Sequence, residues 1–261
     1  MKAHEIKLLL SQSIAYTVAI MAIATSIAEA KNSPLSVDAA GEIQLCSENF
    51  NCKRIVPTGE LKKVIDNGYE HISIADLYND GNREIVATSG GINECSKFFS
   101  FDEKTFKFSP LNFSHRDICN YKIFENNLIS SYKLDAKQYE DIYELKNGTY
   151  QLALSDSCVG CDQITRSVYK GGHLTEKFLV TNQKIYSLRL PVTTSIITEK
   201  AWLYTDHLDS AKTKMYLVRG DNVQLIEFNS SNGFWYFVRY PSKRHGIILK
   251  WIKCEDLSAC K

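Results

Sequence analysis

The chain has 261 residues, 44% of them hydrophobic, 11% aromatic and 23% charged, with a formal net charge of +1. A length of this order suits two modest domains. The near-zero charge argues against nucleic acid or an anionic membrane as the main partner.

Residues 1–30 read as a secretory leader. Lys2 and Lys7 make a positive start, "LLLSQSIAYTVAIMAIATSI" is an apolar run, and "AEA" before Lys31 has the small-residue pattern of a signal-peptidase site. A retained membrane anchor is disfavoured, because Ser11, Gln12, Ser13, Thr17, Thr25 and Ser26 interrupt the run and no second one follows. No Cys lies near the cleavage site, which disfavours a lipid anchor. Removing the leader takes two Lys and two Glu, so the charge stays at +1. The expectation is a periplasmic or secreted protein with no membrane anchor.

All eight cysteines, Cys46, Cys52, Cys95, Cys119, Cys158, Cys161, Cys254 and Cys260, lie beyond the leader. An even count in an exported chain points to disulfides. Connectivity does not follow from sequence, but proximity suggests 46–52, 95–119, 158–161 and 254–260.

From residue 70 to 170 the pattern is strand, turn, strand. "KFFSF" and "FKFSPL" flank "DEKT", "YKIFE" and "LISSYKL" flank "NN", and "DIYELK" and "TYQLALS" flank Asn147-Gly148. The last is the strongest hairpin signal, because a type I′ turn needs positive φ at both central residues. In "TYQLALS", Tyr150, Leu152 and Leu154 alternate with Gln151, Ala153 and Ser155, so one face should be buried. "GELKKVIDNG" could form a short helix; no amphipathic helix of three turns is visible. Gly171-Gly172 and Pro191 are breakpoints, which sets a boundary near residue 190 between a β-rich part (31–190) and a last part (191–261). The last part holds five short strands: "KAWLYT", "KMYLVRG", "NVQLIEFN", "GFWYFVRY" and "IILKWIKC". The expected fold is all-β: an antiparallel meander, sandwich or propeller-like, followed by a small barrel.

Within "IADLYNDGNREIVATSGG", residues 74–91, Asp76, Asp80 and Glu84 occupy positions one, five and nine of a calcium loop, with Gly81 at the bend. Tyr78 stands where a third oxygen belongs, Ala87 replaces the bidentate Glu of an EF-hand, and no helix flanks the loop. A plain structural turn is therefore preferred. No cofactor is expected beyond calcium bound weakly, at about millimolar.

The turn "ADLYNDGNREIVATSG" resembles that of FG-GAP-like β-repeats. It also resembles the turn of a bacterial family of periplasmic lysozyme inhibitors and immunity proteins, in which a Tyr-rich meander follows; "SSYKLDAKQYEDIYELKNGTYQLALSDSC" is similar in order and spacing. The resemblance covers residues 70–170 and implies an exported β-protein that blocks a cell-wall hydrolase. Residues 196–257 resemble bacterial SH3-like domains through "AWLYT", "YLVRGDNVQLIE", "GFWYFVRY" and "WIK". The Gly-Asp-x-Val turn is Gly220, Asp221 and Val223, the Trp-x-x-Val strand holds Trp235 and Val238, and the closing pair is Trp251 and Ile252. Lys250 stands where that family usually has Gly. The resemblance implies a ligand-binding or docking module on a small SH3-like barrel.

No catalytic constellation stands out. Cys158-Val-Gly-Cys161 lies between strands rather than opening a helix, so a structural disulfide is preferred to a redox pair. His71, His115, His173, His207 and His245 fit no nucleophile elbow or zinc motif, and the chain is not expected to be an enzyme. Partner-binding candidates come from the aromatic-rich last part. By alternation Trp235, Phe237 and Arg239 face opposite to Phe234, Tyr236, Val238 and Tyr240, and one face could form a groove. Tyr204, Tyr236 and Tyr240 are the candidate contacts, with Lys243 and Arg244 beside them on "PSKRHG". Ser167 and Tyr169 in "ITRSVYKGGH" are further candidates, because lysozyme inhibitors of other types plug the catalytic cleft with a neighbouring Ser and Tyr. The expected partner is a cell-wall hydrolase or toxin. The alternative is a peptidoglycan- or peptide-binding module carried on a β-scaffold.

Overall fold

A chain that changes direction every few residues through turns of positive φ builds sheets from sequence neighbours. In the computed structural model, which describes residues 34–47, 49, 51–113 and 117–260, four antiparallel sheets follow one another along the chain. The expected leader and His115 lie outside the described residues. No helix among the described residues is long and apolar enough to cross a membrane.

The first sheet is β1 (Leu35–Val37), β2 (Ile43–Cys46) and β3 (Cys52–Arg54), with Cys46 directly opposite Cys52. The short helix α1 (Gly59–Asp66) follows. Leu61 is its one buried residue and packs with Leu35, Ile43, Ile85, Ala87 and Phe99. The second sheet orders β4 (His71–Ala75), β5 (Glu84–Thr88), β6 (Cys95–Asp102) and β7 (Lys107–Pro110), and β8 (Ile118–Cys119) pairs with β6. On β5, Ile85 and Ala87 face the helix-side core and Val86 faces a second core. Covering on both faces explains why this strand is an unbroken apolar run rather than an alternating one.

The third sheet is a six-stranded meander: β9 (Lys122–Phe124), β10 (Asn127–Leu134), β11 (Lys137–Lys146), β12 (Thr149–Ser157), β13 (Ile164–Lys170) and β14 (His173–Val180). Four of its five connections are two-residue turns with positive φ at both positions: Glu125-Asn126, Asp135-Ala136, Asn147-Gly148 and Gly171-Gly172. Gly171-Gly172 thus closes a hairpin instead of breaking the sheet, and the "NN" turn is shifted one residue, to Glu125-Asn126. The second and third sheets pack through Val86, Phe98 and Ile118 on one side and Leu128, Tyr143, Tyr150 and Leu152 on the other. Each such side chain stabilises the fold by about 1.5–3 kcal/mol when fully buried.

On the reverse face of the meander a charged cluster takes over. Asp156 accepts from Arg166 (Nε, 2.8 Å; Nη2, 2.6 Å) and from Arg189 (Nη1, 2.7 Å), and Arg189 also meets Glu140 at 2.7 Å. Arg189 further donates to the carbonyls of Gln183 and Lys184, and Arg166 to that of Tyr186, which ties residues 183–189 to the sheet.

The fourth sheet contains β15 (Thr193–Ser195), β16 (Ala201–Tyr204), β17 (Lys212–Leu217), β18 (Asn222–Asn229), β19 (Trp235–Ser242) and β20 (Gly246–Lys253), in the order β15-β18-β19-β20-β16-β17. All five expected strands form, but the expected small barrel does not close. Beyond β15 the chain hydrogen-bonds to the turn after β17 (Ile196 N–H to Asp221 O, 2.8 Å; Gly220 N–H to Ile196 O, 3.0 Å) and not to β17 itself, so β15 and β17 remain edges. The core of this sheet also takes in Leu179 from β14.

Candidate functional site

The turn at residues 76–84 uses its carboxylates on its own backbone. Asp76 accepts from the N–H of Asp80 (3.1 Å) and of Gly81 (3.0 Å), and Asp80 from the N–H and the side-chain amide of Asn82 (2.9 and 3.0 Å). Glu84 is buried and accepts from the Leu77 N–H at 2.9 Å, while the Tyr150 hydroxyl donates to the Leu77 carbonyl at 2.5 Å. Tyr78 stacks on Tyr150, with ring centroids 5.8 Å apart. The carboxylates of the calcium spacing, Asp76, Asp80 and Glu84, thus accept from backbone and amide N–H groups of their own turn, and the Tyr150 hydroxyl ties that turn to the meander. Among the described residues no group of three His, Cys, Asp or Glu is placed to hold a metal ion. Burial pushes the Glu84 carboxyl up to about 7; the charges of Asp80 and Asp76 add to the rise and the Leu77 N–H opposes it.

The front face of the meander carries a more open arrangement. A register shift opposite Ile142 and Tyr143 aligns Tyr143 with Leu152 but Ile142 with Leu154. Leu154 therefore turns to the reverse face, against the alternation expected for "TYQLALS", and Ser155 and Ser157 share the front with Leu152. There they meet Tyr132, Tyr139, Asp141, Ser167 and Tyr169 around a cavity of about 240 Å³. Asp141 is 3% exposed and accepts from the Tyr132 hydroxyl at 3.1 Å. Tyr132 and Tyr139 stack almost parallel, 2° apart, with centroids separated by 5.2 Å. Directly behind, Asp156 and its two arginines lock the same strands.

Of the expected partner contacts, Ser167 and Tyr169 lie together in this groove. Tyr204 and Tyr236 do not reach the surface. Tyr204 is 6% exposed and set edge-on to Trp235 at 4.8 Å; Tyr236 is 4% exposed, with its hydroxyl held by the Gln163 amide. Both rings are thus withdrawn from contact, Tyr236 into the apolar core of the fourth sheet and Tyr204 against Trp235. Tyr240 is half-buried and donates to Asp221 at 3.0 Å. Lys243 and Arg244 stand exposed at the β19–β20 hairpin tip. The structure pairs Cys46–Cys52, Cys95–Cys119, Cys158–Cys161 and Cys254–Cys260, and the third of these staples the turn that follows Ser157. Four disulfides indicate an oxidising compartment.

Sequence reasoning missed Tyr132, Tyr139, Asp141, Ser155 and Ser157. The period-two run Tyr139, Asp141, Tyr143 was a usable signal; the bulge on β12 left none. No family model, no curated protein and no solved structure matches this chain.

Proposed function

We propose that the chain is a periplasmic or secreted binding protein that neutralises a peptidoglycan-cleaving, lysozyme-like enzyme by occlusion, without catalysis of its own. The observation that carries this reading is the front face of the meander. Ser167 and Tyr169 join other hydroxyls and rings in one shallow groove, on strands fixed from behind by buried ion pairs. Rigid strands that present polar groups favour recognition at low ordering cost. The Cys158–Cys161 turn at the end of the groove is short and stapled, and it is the segment best shaped to enter a cleft. The resemblance of residues 70–170 to lysozyme inhibitors and immunity proteins supplies the enzyme class.

A second reading, binding of wall glycan or peptide by the fourth sheet, is favoured by one feature. Phe228 and Phe234 stack with centroids 6.1 Å apart and are 37% and 65% exposed, a platform on which a ligand could lie. Mixing the full chain with a purified lysozyme separates the two readings. The first expects co-elution on size exclusion and suppressed lysis of a wall suspension. Undiminished lysis, together with retention of the chain on enzyme-free wall, would reverse the assignment.

A further inference from the structure

We infer that the groove on the front of the meander is a receptor for one arginine side chain of a protein partner. The inference rests on the reading above for the partner being a protein, and otherwise on the groove alone.

The register of the sheet sets the chemistry. One row across the strands runs Ser130, Asp141, Ser155, Ser167, Lys177. Ser130 is fully buried and committed to Cys119, so the row offers a ligand a carboxylate at its floor and serine hydroxyls beyond it. Lys177 lies three strands from Asp141, about 14 Å at ordinary strand spacing, and is exposed at the rim. The positive charge behind the sheet is already spent, because Arg166 and Arg189 are balanced there by Asp156 and Glu140. The tyrosine rings add a negative electrostatic face beside the carboxylate. Both features select a cation and reject an acidic group.

Size and shape select the kind of cation. At about 240 Å³ the cavity falls below the usual range for a drug-sized ligand and suits a single side chain. Tyr132 and Tyr139 form a parallel stack, which a planar guanidinium extends and a tetrahedral ammonium does not. A guanidinium brings five N–H donors and no acceptor, and the groove answers with a carboxylate and the Ser155, Ser157 and Ser167 hydroxyls as acceptors.

The test uses the full chain with ¹³C-labelled tyrosine rings, titrated with acetyl-Gly-Arg-Gly-amide and followed by NMR. The citrulline peptide serves as the neutral isostere, the Glu peptide as the acidic control and tri-N-acetylchitotriose as the glycan. The Arg peptide should shift the Tyr132, Tyr139 and Tyr169 rings saturably. Citrulline should bind about tenfold to a hundredfold more weakly, the range for a hydrogen bond to a charged group. Asp141→Asn should weaken the Arg peptide by the same factor. If that variant does not fold, Ser167→Phe, which fills the groove without touching the charge, should abolish the ring shifts. Equal affinity for citrulline, a preference for the Glu peptide or the glycan, or unchanged shifts in folded Ser167→Phe would overturn the inference. Failure of this inference is separable from failure of the function proposed above. A lysozyme complex that survives Asp141→Asn sinks only the arginine receptor. Arginine-peptide binding with no lysozyme complex sinks only the choice of enzyme.

Discussion

Replacing Glu84 by Gln isolates the electrostatic cost of the 76–84 turn. The amide keeps an oxygen for the Leu77 N–H and removes the charge. The carboxyl is raised from 4.5 to about 7 in the folded protein, so between these values the folded state holds more protons than the unfolded one. The stability this proton contributes is full below pH 4.5 and is lost as pH rises through 7. A shift of this size corresponds to about 3 kcal/mol. The stability of Glu84→Gln minus that of wild type should therefore be flat in acid and climb by about 3 kcal/mol between pH 4.5 and pH 8. For a chain of this size the climb is about 6–12 °C in Tm. Any offset from fitting the amide is the same at every pH and drops out of the slope. Urea unfolding of the disulfide-intact protein at half-unit pH steps measures the difference directly. A difference that stays constant across the range would refute the burial argument for Glu84.

The disulfides should rank by the loop they close. Reducing Cys95–Cys119, which spans 24 residues, should cost about 3.5 kcal/mol, against about 1.6 for Cys158–Cys161, which spans 3; paired Cys→Ser variants under urea check the order. Asp156→Ala leaves Arg166 buried without a carboxylate and Arg189 with Glu140 alone, and should cost about 3–5 kcal/mol, read as a fall in denaturation midpoint. Tyr236→Phe should cost about 1 kcal/mol, one hydrogen bond, whereas Tyr236→Ala should cost about 3–5 through the cavity it leaves; calorimetric melting separates the two. Lys243→Ala and Arg244→Ala should each stay within about 0.5 kcal/mol of wild type, so any effect of theirs on partner binding reads as contact loss.

The strands were legible because period-two patterning and two-residue turns are local properties. Asn147-Gly148 predicts its hairpin from two residues, and five of the six strands after residue 190 were visible in the same way, β15 being too short to show a pattern. Gly171-Gly172 misleads for a physical reason: the pair that breaks a helix also supplies the two positive-φ positions of a hairpin. The barrel was overread because strand count does not say which edges meet. Ile196 bonding to the 218–221 turn is a long-range choice. The candidate site was only partly readable. Ser167 and Tyr169 lie on one strand and could be paired by eye. Tyr132, Asp141 and Ser155 come from three other strands, and the β12 bulge decides which face Ser155 joins. Tyr204 and Tyr236 show the converse, since sequence alone does not say which face of an aromatic-rich strand is core. The turn carboxylates matched a calcium spacing because the same spacing lets Asp76 cap the N–H groups of its own bend.

The most direct measurement titrates a purified lysozyme with the full chain and follows lysis of a wall suspension, with Ser167→Phe titrated in parallel. If the meander face neutralises the enzyme, the wild-type chain stops lysis at stoichiometric amounts. The folded variant, with its groove filled, should then require at least about tenfold more protein, the loss expected from one charged hydrogen bond. Equal suppression by both chains would remove the groove from the mechanism, and lysis undisturbed by either would contradict neutralisation itself.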